Sequence, residues 1–548
     1  MKRKNTLFWT VGLGLILLHS YFPGQIDFTA DQRYTLSPTA LNTLEVTTTP
    51  LRVDVFLSGD LPNNFQRLRQ ETQTLLEQMA RKRPLLLNYI NPFEDSDNVT
   101  AIVEEMLQYG LQPHNVVNAN TQRMEQTVVF PWAIVSDGSR SVRVSLLKKT
   151  LGDSPEQQLL RSIRQLEYQF TDAIIQLQTT TKKSIAVLTS HNTSSAASTA
   201  DLLQSLKPYY NLAAFDLKAL QNDPITTLNN LKRFDVLFIS NPKAPFTATE
   251  KLVLDQYQMH GGASLWAINT IQINRDSLFN SSGSALAYPN PLNLEDYFFK
   301  RGLRLNNNLV KDLYAAPIVL AQGSGNQSQY LPYPWSYYPL VPAITSHPIA
   351  AGVGNVWLRF TSSIDTLKNA AKKQFLLTSS PLSKAVTAPF IVRLEEANQA
   401  PNPEAYNQES LGTAVLLEGA FESLYKNRVL NVDSLPFKAN GNAKMLVITD
   451  GNIAENQLDK GQPVELGYDK WTNNFYNNKS FLQNAFHYLM GEEARIALRA
   501  KTLQVALLDL QRTKENSTLV RLFVALIPLL FLGVLIVFTR FWRMRMLR

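Results

Sequence analysis

FDVLFISNPKAPFTATEKLVLDQYQMHGGASLWAI, Phe234 to Ile268, is the stretch that decides the fold. Phe234 to Ser240 is an almost unbroken apolar run, as suits a strand covered on both faces in a parallel sheet. Thr247 and Glu250 stand at capping-box spacing and open a helix that reaches His260. Gly261–Gly262 stops it, and Ala263 to Ile268 is the next strand. Strand, helix, glycine stop and strand make a right-handed crossover unit.

The pattern extends in both directions. Ser184 to Thr189 reads as a strand, Thr199 to Lys207 as a helix and Asn211 to Leu217 as another strand. Residues 184 to about 274 form the core of a doubly wound α/β domain spanning 184–490. Asn355 to Phe360, Lys373 to Thr378, Thr413 to Gly419 and Lys444 to Thr449 continue it as strands, and Asn478 to Met490 as a helix. Residues 275–343, rich in Asn, Ser, Gly, Pro and Tyr, read as a long inserted loop with a short helix near Leu294 to Lys300 and strands at Asn308 to Leu313 and Ile318 to Leu320. Its aromatics Tyr330, Tyr333, Trp335, Tyr337 and Tyr338 are either a contact surface or pins that fix the segment to the domain.

Upstream, residues 51–180 alternate between the two periods. Leu51 to Leu57, Leu85 to Ile90, Thr127 to Val135 and Ser141 to Leu147 read as strands, and Phe65 to Arg83, Val99 to Tyr109 and Pro155 to Gln178 as helices. Asp137–Gly138 marks a hairpin. The order β-α-β-α-β-β-α is that of a thioredoxin-like domain. The chain has no cysteine, so the redox chemistry of that fold is excluded, with disulfides and thiolate nucleophiles. Residues 23–50 are a juxtamembrane linker, with a short helix opened by Ser37–Pro38.

Both ends carry apolar segments. Leu519 to Phe538 has the ~20 residues needed to cross a bilayer as a helix, and Arg540, Arg543, Arg545 and Arg548 follow it. Lys2, Arg3 and Lys4 precede Leu7 to Leu18, which extends towards Phe22 and reads as an uncleaved signal anchor. These expectations make 1–22 a cytoplasmic tip and first span, 491–518 a helical stalk, 519–538 a second span and 539–548 a basic cytoplasmic tail. They place the protein in a bacterial inner membrane, both termini cytoplasmic and the large region periplasmic. The net charge of +8 comes mostly from the seven tip residues, leaving 46 basic against 45 acidic elsewhere. The basicity is therefore a topology signal and does not point to nucleic acid.

No Walker motif, H-E-x-x-H or G-x-S-x-G elbow occurs, and the six histidines are far apart. No catalytic, cofactor or metal residues are assigned. Ser190, His191 and Asp450 follow strand ends, where α/β ligand crevices lie, and form the candidate crevice. Ser190 and His191 have no obvious acid partner in sequence.

Further features carry a resemblance: D-x-T-x-D-x-R-Y-T-L-S from Asp27 to Ser37, VDVFLSGDLPNNFQRL after it, the Phe234 block, and ALRAKTLQ before the last apolar run. Together they resemble the ABC-transport auxiliary family that includes the gliding-motility protein GldG, over essentially the whole chain. The resemblance implies a non-enzymatic accessory subunit linked to gliding, with an ABC permease subunit, a cytoplasmic ATPase subunit and the lipid bilayer as partners. It also implies a glutamine-amidotransferase-like α/β domain without the nucleophile. Arg521, Pro528 and Gly533 are then possible permease contacts. The alternatives are an anchored periplasmic solute- or glycan-binding protein, its ligand unknown, and an anchored hydrolase using Ser190 or His191.

Overall fold

The computed structural model describes residues 35–500 apart from 95–97, 119–124, 149–153, 220–222, 323–328, 344–345, 409 and 429–434, with isolated positions between 526 and 540. Helix α1 (Pro38–Val46) starts on Ser37, whose side chain accepts from the Ala40 N–H, with Pro38 at the first helical position. Then come β1 (Leu51–Val55), α2 (Asn63–Lys82), β2 (Leu85–Tyr89), α3 (Val99–Gln108), β3 (His114–Asn118), β4 (Glu125–Val129), β5 (Trp132–Ser136), β6 (Ser141–Ser145) and α4 (Pro155–Gln178). A four-stranded sheet runs β2-β1-β5-β6. Its β1 and β2 are parallel, and the other neighbours antiparallel. The expected single strand Thr127 to Val135 is two strands. The chain breaks at Phe130–Pro131, where proline has no N–H for a ladder, so β4 pairs with β3 while β5 pairs with β1. Leu68, Leu76 and Met79 of α2 and Phe170 and Ile174 of α4 cover this sheet.

A second sheet opens with β7 (Ser184–Leu188), α5 (Ala200–Leu206), β8 (Asn211–Phe215), α6 (Pro224–Leu231), β9 (Val236–Ser240), α7 (Ala248–Met259) and β10 (Ala263–Ala267). A β-rich segment follows: β11 (Ile271–Ile273), α8 (Arg275–Leu278), β12 (Ser284–Pro289), α9 (Glu295–Lys300), β13 (Leu303–Leu305), β14 (Asn308–Asp312), β15 (Ala315–Gln322), β16 (Gln329–Pro342), β17 (Asn355–Trp357) and β18 (Ile364–Thr366). The chain finishes through β19 (Lys372–Thr378), β20 (Ser383–Thr387), β21 (Phe390–Arg393), β22 (Gly412–Glu422), β23 (Asn440–Ile448), α10 (Asn478–Leu489) and α11 (Glu493–Ala500). The main sheet has the order β19-β22-β23-β10-β9-β7-β8. From β23 to β8 it is parallel; β22 and β19 add antiparallel neighbours.

Both faces of this sheet are covered. Phe238 and Leu265 face α5 and α10, packing with Leu202, Leu206, Phe481 and Phe486. Leu237, Ile239 and Trp266 face the other way, onto Leu228, Val253, Leu254, Tyr297 and Phe298 of α6, α7 and α9.

Residues 275–343, expected as a loop, are largely strand. Residues 271–393 build small sheets β11-β12-β21, β13-β18, β14-β20 and β15-β16-β17. Period-two burial along β16 settles the two readings of its aromatics. Trp335 and Tyr337 are buried in the insertion's own core, whereas Tyr330 is 71% exposed.

The expectation of two flanking spans is corrected, and with it the inner-membrane placement. Among the described residues no helix is long and apolar enough to cross a membrane. The two longest helices, α2 and α4, have the length but not the composition: Arg67, Arg69, Glu71 and Glu77 interrupt one, and Arg161, Arg164, Glu167 and Asp172 the other. The segments 7–22 and 519–538 lie outside the described residues, apart from isolated positions.

One ion pair is sealed inside the protein. Arg301 Nη2 donates to Asp255 Oδ1 at 2.7 Å with both side chains fully buried. Asp255 also accepts from Ser423 Oγ (2.6 Å) and the Leu424 N–H (2.9 Å), and the guanidinium lies 4.2 Å from the Tyr297 ring centroid. Removing one partner strands a buried charge. Asp255→Ala is therefore expected to destabilise the protein by about 3–5 kcal/mol in urea unfolding, against under ~1 kcal/mol for the exposed pair member Lys426→Ala.

Candidate functional site

Strands β7 and β9 are neighbours, but the helix after β7 packs on one face of the sheet and the helix after β9 on the other. Their turns diverge and leave a crevice at the carboxyl ends of the strands. The turns are tightly made. His191 (φ 64°), Asn192 (φ 50°) and Asn241 (φ 51°) all adopt the left-handed conformation, which is uncommon outside glycine and concentrates at sites over-determined by their surroundings. The His191 carbonyl accepts from the Lys243 and Ala244 N–H groups at 2.8 and 3.1 Å, and the Ser194 N–H donates to the Ser240 carbonyl at 3.0 Å. The turn after β7 is thus laced to the turn after β9.

Ser190 and His191 find an acid here that spacing alone did not indicate. His191 Nδ1 is 3.0 Å from Ser190 Oγ, and its Nε2 lies 3.2 Å from Glu250 Oε2 without meeting it in line. Glu250 is the residue that closes the capping box of α7, accepting from the Thr247 N–H at 2.7 Å. Burial pushes its carboxyl up, but the imidazole and the Thr247 donors outweigh that and hold it below the usual range. The constellation resembles a hydrolase triad in composition and differs from one in access. Ser190 is buried, and its Oγ already accepts from the Leu217 N–H at 3.2 Å. The His191 ring is fully buried, stacked on Phe246 with centroids 3.9 Å apart. A nucleophile needs a path for substrate, and Ser190, buried with its Oγ bonded to the Leu217 N–H and to His191, offers none. These groups lock the turn.

The open part of the crevice lies beside them. It holds about 430 Å³ and is lined by Asn241, Asn269, Asn290, Asn452, Gln272 and Glu455, with Lys243 and Arg275 also contributing. Glu455 Oε1 accepts from Ser194 Oγ at 2.7 Å and from Asn241 Nδ2 at 3.0 Å. Asn269 Nδ2 donates to Asn241 Oδ1 at 3.1 Å. The carboxylate thus fixes Asn241, whose amide is buried and bonded at both ends, while Asn269, Gln272 and Asn452 are half-buried at the crevice wall. Among the described residues no cluster of histidine and carboxylates could hold a metal ion.

Asp450, the third expected crevice residue, is not bonded to Ser190 or His191. It is fully buried at the end of β23, accepting from the Arg359 N–H (2.7 Å) and the Asn452 N–H (2.8 Å). The Arg359 guanidinium donates to the Asn452 and Glu455 carbonyls at 2.5 and 3.1 Å, so Asp450 supports the crevice from behind. Asn241, Arg359 and Glu455 were missed in the sequence. Asn241 follows the β9 strand end and was open to the same rule that found Ser190; Arg359 and Glu455 carry no local signal. Of the three residues expected to meet a permease, Arg521 and Pro528 lie outside the described residues, and Gly533 is an isolated helical position.

Burial pushes the Asp450 carboxyl up to about 6, only partly opposed by Arg359 and the N–H donors. The folded state therefore holds this proton more tightly than the unfolded chain does. Its contribution to stability is greatest below the ordinary carboxyl value of 3.8 and falls as pH rises towards 6. Asp450→Asn removes this titration. Its stability relative to the parent is expected to rise by up to about 3 kcal/mol between pH 4 and pH 7, read by urea unfolding at each pH. A difference that stays constant would show that Asp450 does not titrate in this window.

Three comparisons place these features among known proteins. Residues 182–485 match a family model described as an ABC-type uncharacterized transport system, and residues 30–136 match a domain of unknown function (DUF7088). No curated protein matches the chain. A solved structure titled mmIFT52 N-terminal domain aligns over 59% of this chain and 100% of its own, at 11% identity and a TM-score of 0.33. The first match takes in more than half of the chain, β7, β9 and β23 included, and the protein belongs to the ABC-transport auxiliary family.

Proposed function

We propose that this protein is a non-catalytic accessory subunit of an ABC transport system, acting with a permease and an ATPase in a group of the kind linked to gliding motility. The observation that carries the reading is the contrast inside the crevice. The groups able to do chemistry, Ser190 and His191, are sealed and mutually bonded, while the half-buried wall of the crevice carries Glu455 and the amides Asn269, Gln272 and Asn452. Such a surface recognises and does not cleave. Family membership supplies the transport context. GldG is the finer identity that the sequence resemblance favours, and loss of surface movement on deletion in a gliding host is its test.

Two measurements test the assignment. Affinity-tagged chain, isolated from its own cells under mild conditions, is expected to bring a permease and an ATPase with it; repeated isolation alone would overturn the partnership. Ser190→Ala is expected to leave transport unchanged, whereas Glu455→Ala, which frees the crevice amides, is expected to lower it about tenfold or more with the complex still assembled. Loss of transport in Ser190→Ala with folding intact would return the protein to the hydrolases.

A further inference from the structure

A second concavity opens beside the crevice, with Arg275 in both walls. It encloses about 580 Å³, within the roughly 300–1,000 Å³ usual for small-ligand sites. Three aromatic side chains in its lining are unusually exposed: Trp471 is 65% exposed, Tyr330 71% and Phe279 60%. They come from three distant parts of the chain, which a single disordered surface patch would not bring together. Apolar side chains so exposed stand out when several share one concavity.

The turn bearing Trp471 is fixed from beneath. Asp469, itself 4% exposed, accepts from the Trp471 N–H at 3.3 Å, from Thr472 Oγ1 at 2.6 Å and from Gln457 Nε2 at 3.1 Å. Gln457 Oε1 accepts in turn from the Lys470 N–H at 3.0 Å. The indole is therefore presented to solvent by a buried hydrogen-bonded support, so little ordering is needed to use it. The lining also includes Arg275, Glu395 and Asn398, planar side chains suited to paired hydrogen bonds. Its charged residues are two arginines, Arg275 and Arg359, and two acids, Glu395 and Asp469, so the lining is close to neutral.

We propose that this groove binds a short neutral oligosaccharide chain. The ligand must offer flat apolar faces to stack on Trp471 and Tyr330, and hydroxyl edges to meet the planar polar groups, without net charge. Pyranose rings meet all three conditions, since the axial C–H groups make one face apolar while the hydroxyls project at the rim. A proline-rich peptide would use the aromatics but has few groups for Arg275, Glu395 and Asn398. The inference goes beyond the accessory role and does not depend on it, because binding needs neither permease nor ATPase.

The test is isothermal titration of the full chain with maltotetraose, cellotetraose and chitotetraose as probes, and with decaproline as the peptide control. At least one sugar is expected to bind and decaproline not. Trp471→Ala is expected to weaken that sugar about tenfold or more with an unchanged melting temperature, as fits the loss of one stacked ring at an exposed position. Glu455→Ala, in the neighbouring crevice, is expected to leave sugar binding intact. Failure of all three sugars up to about 10 mM, binding unaffected by Trp471→Ala, or decaproline binding that Trp471→Ala abolishes would each overturn the proposal.

Discussion

A parallel sheet buried on both faces accepts a polar side chain only where a partner awaits it. Every residue of β9, from Val236 to Ser240, is buried, as is every residue of β10, where Ser264 accepts from the Trp266 Nε1–H at 3.0 Å. A polar group there without such a partner would be costly. Polar chemistry is therefore displaced to the ends of the strands, where the backbone must turn and where its N–H and carbonyl groups are free to bond. His191, Asn192 and Asn241 take up left-handed conformations at this boundary, and the carbonyl of one turn accepts the N–H groups of the other. Polar groups collect in the crevice for that reason, and asparagine's tolerance of the left-handed conformation suits Asn192 and Asn241 to its turns.

The β-rich insertion completes what the sheet begins. Arg359 lies just beyond β17, and its N–H and guanidinium clamp the loop after β23. Thr361 Oγ1 donates to the Thr449 carbonyl at 3.1 Å, and Thr449 Oγ1 donates to the Thr413 carbonyl at 3.0 Å. The insertion is thus bonded to the rim of the parallel sheet. Neither part alone would hold Asp450 buried or keep Glu455 beside Asn241.

What could be read from the sequence was what is local. The Thr247–Glu250 cap and the Gly261–Gly262 stop are decided within a few residues, and both stand where expected, the hydroxyl of Thr247 receiving the Glu250 N–H at 3.3 Å. Glu250's second role, beside His191, depends on two strands lying side by side, and no pattern along the chain encodes it. Arg359 reaches Asn452 across 93 positions of sequence. Residues 275–343 misled for a compositional reason. Pro332, Pro334, Pro339 and Pro342 argue against a strand because each lacks a ladder donor. Yet alternation buries Trp335, Tyr337, Pro339 and Val341 on one face of β16, and that burial outweighs the missing donors. The apolar ends lie outside the described residues apart from isolated positions, and among the described residues no helix is long and apolar enough to cross a membrane.

Helix α11 joins the two sheets by apolar packing, Leu498 in the core of the four-stranded sheet and Ile496 in that of the seven-stranded one, and by buried charge. Arg495 of α11 bonds both Asp172 of α4 and, at 2.7 Å, Glu492, and its guanidinium lies 4.9 Å from the Tyr209 ring centroid. One turn on, Arg499 donates to Tyr168 of α4 at 2.7 Å. Tyr210 bridges His487 and Glu492 at 2.7 and 3.1 Å. Burial drives the His487 imidazole well below its ordinary value, with Arg499 and Arg495 adding to the shift, so it serves this seam as a neutral ring. Buried pairs of this kind contribute little net stability, because desolvation offsets most of the attraction, but a misaligned pair is costly. Apolar packing alone would tolerate sliding, whereas these bonds are satisfied at one registry, so Arg495 and Arg499 specify how α11 seats against α4.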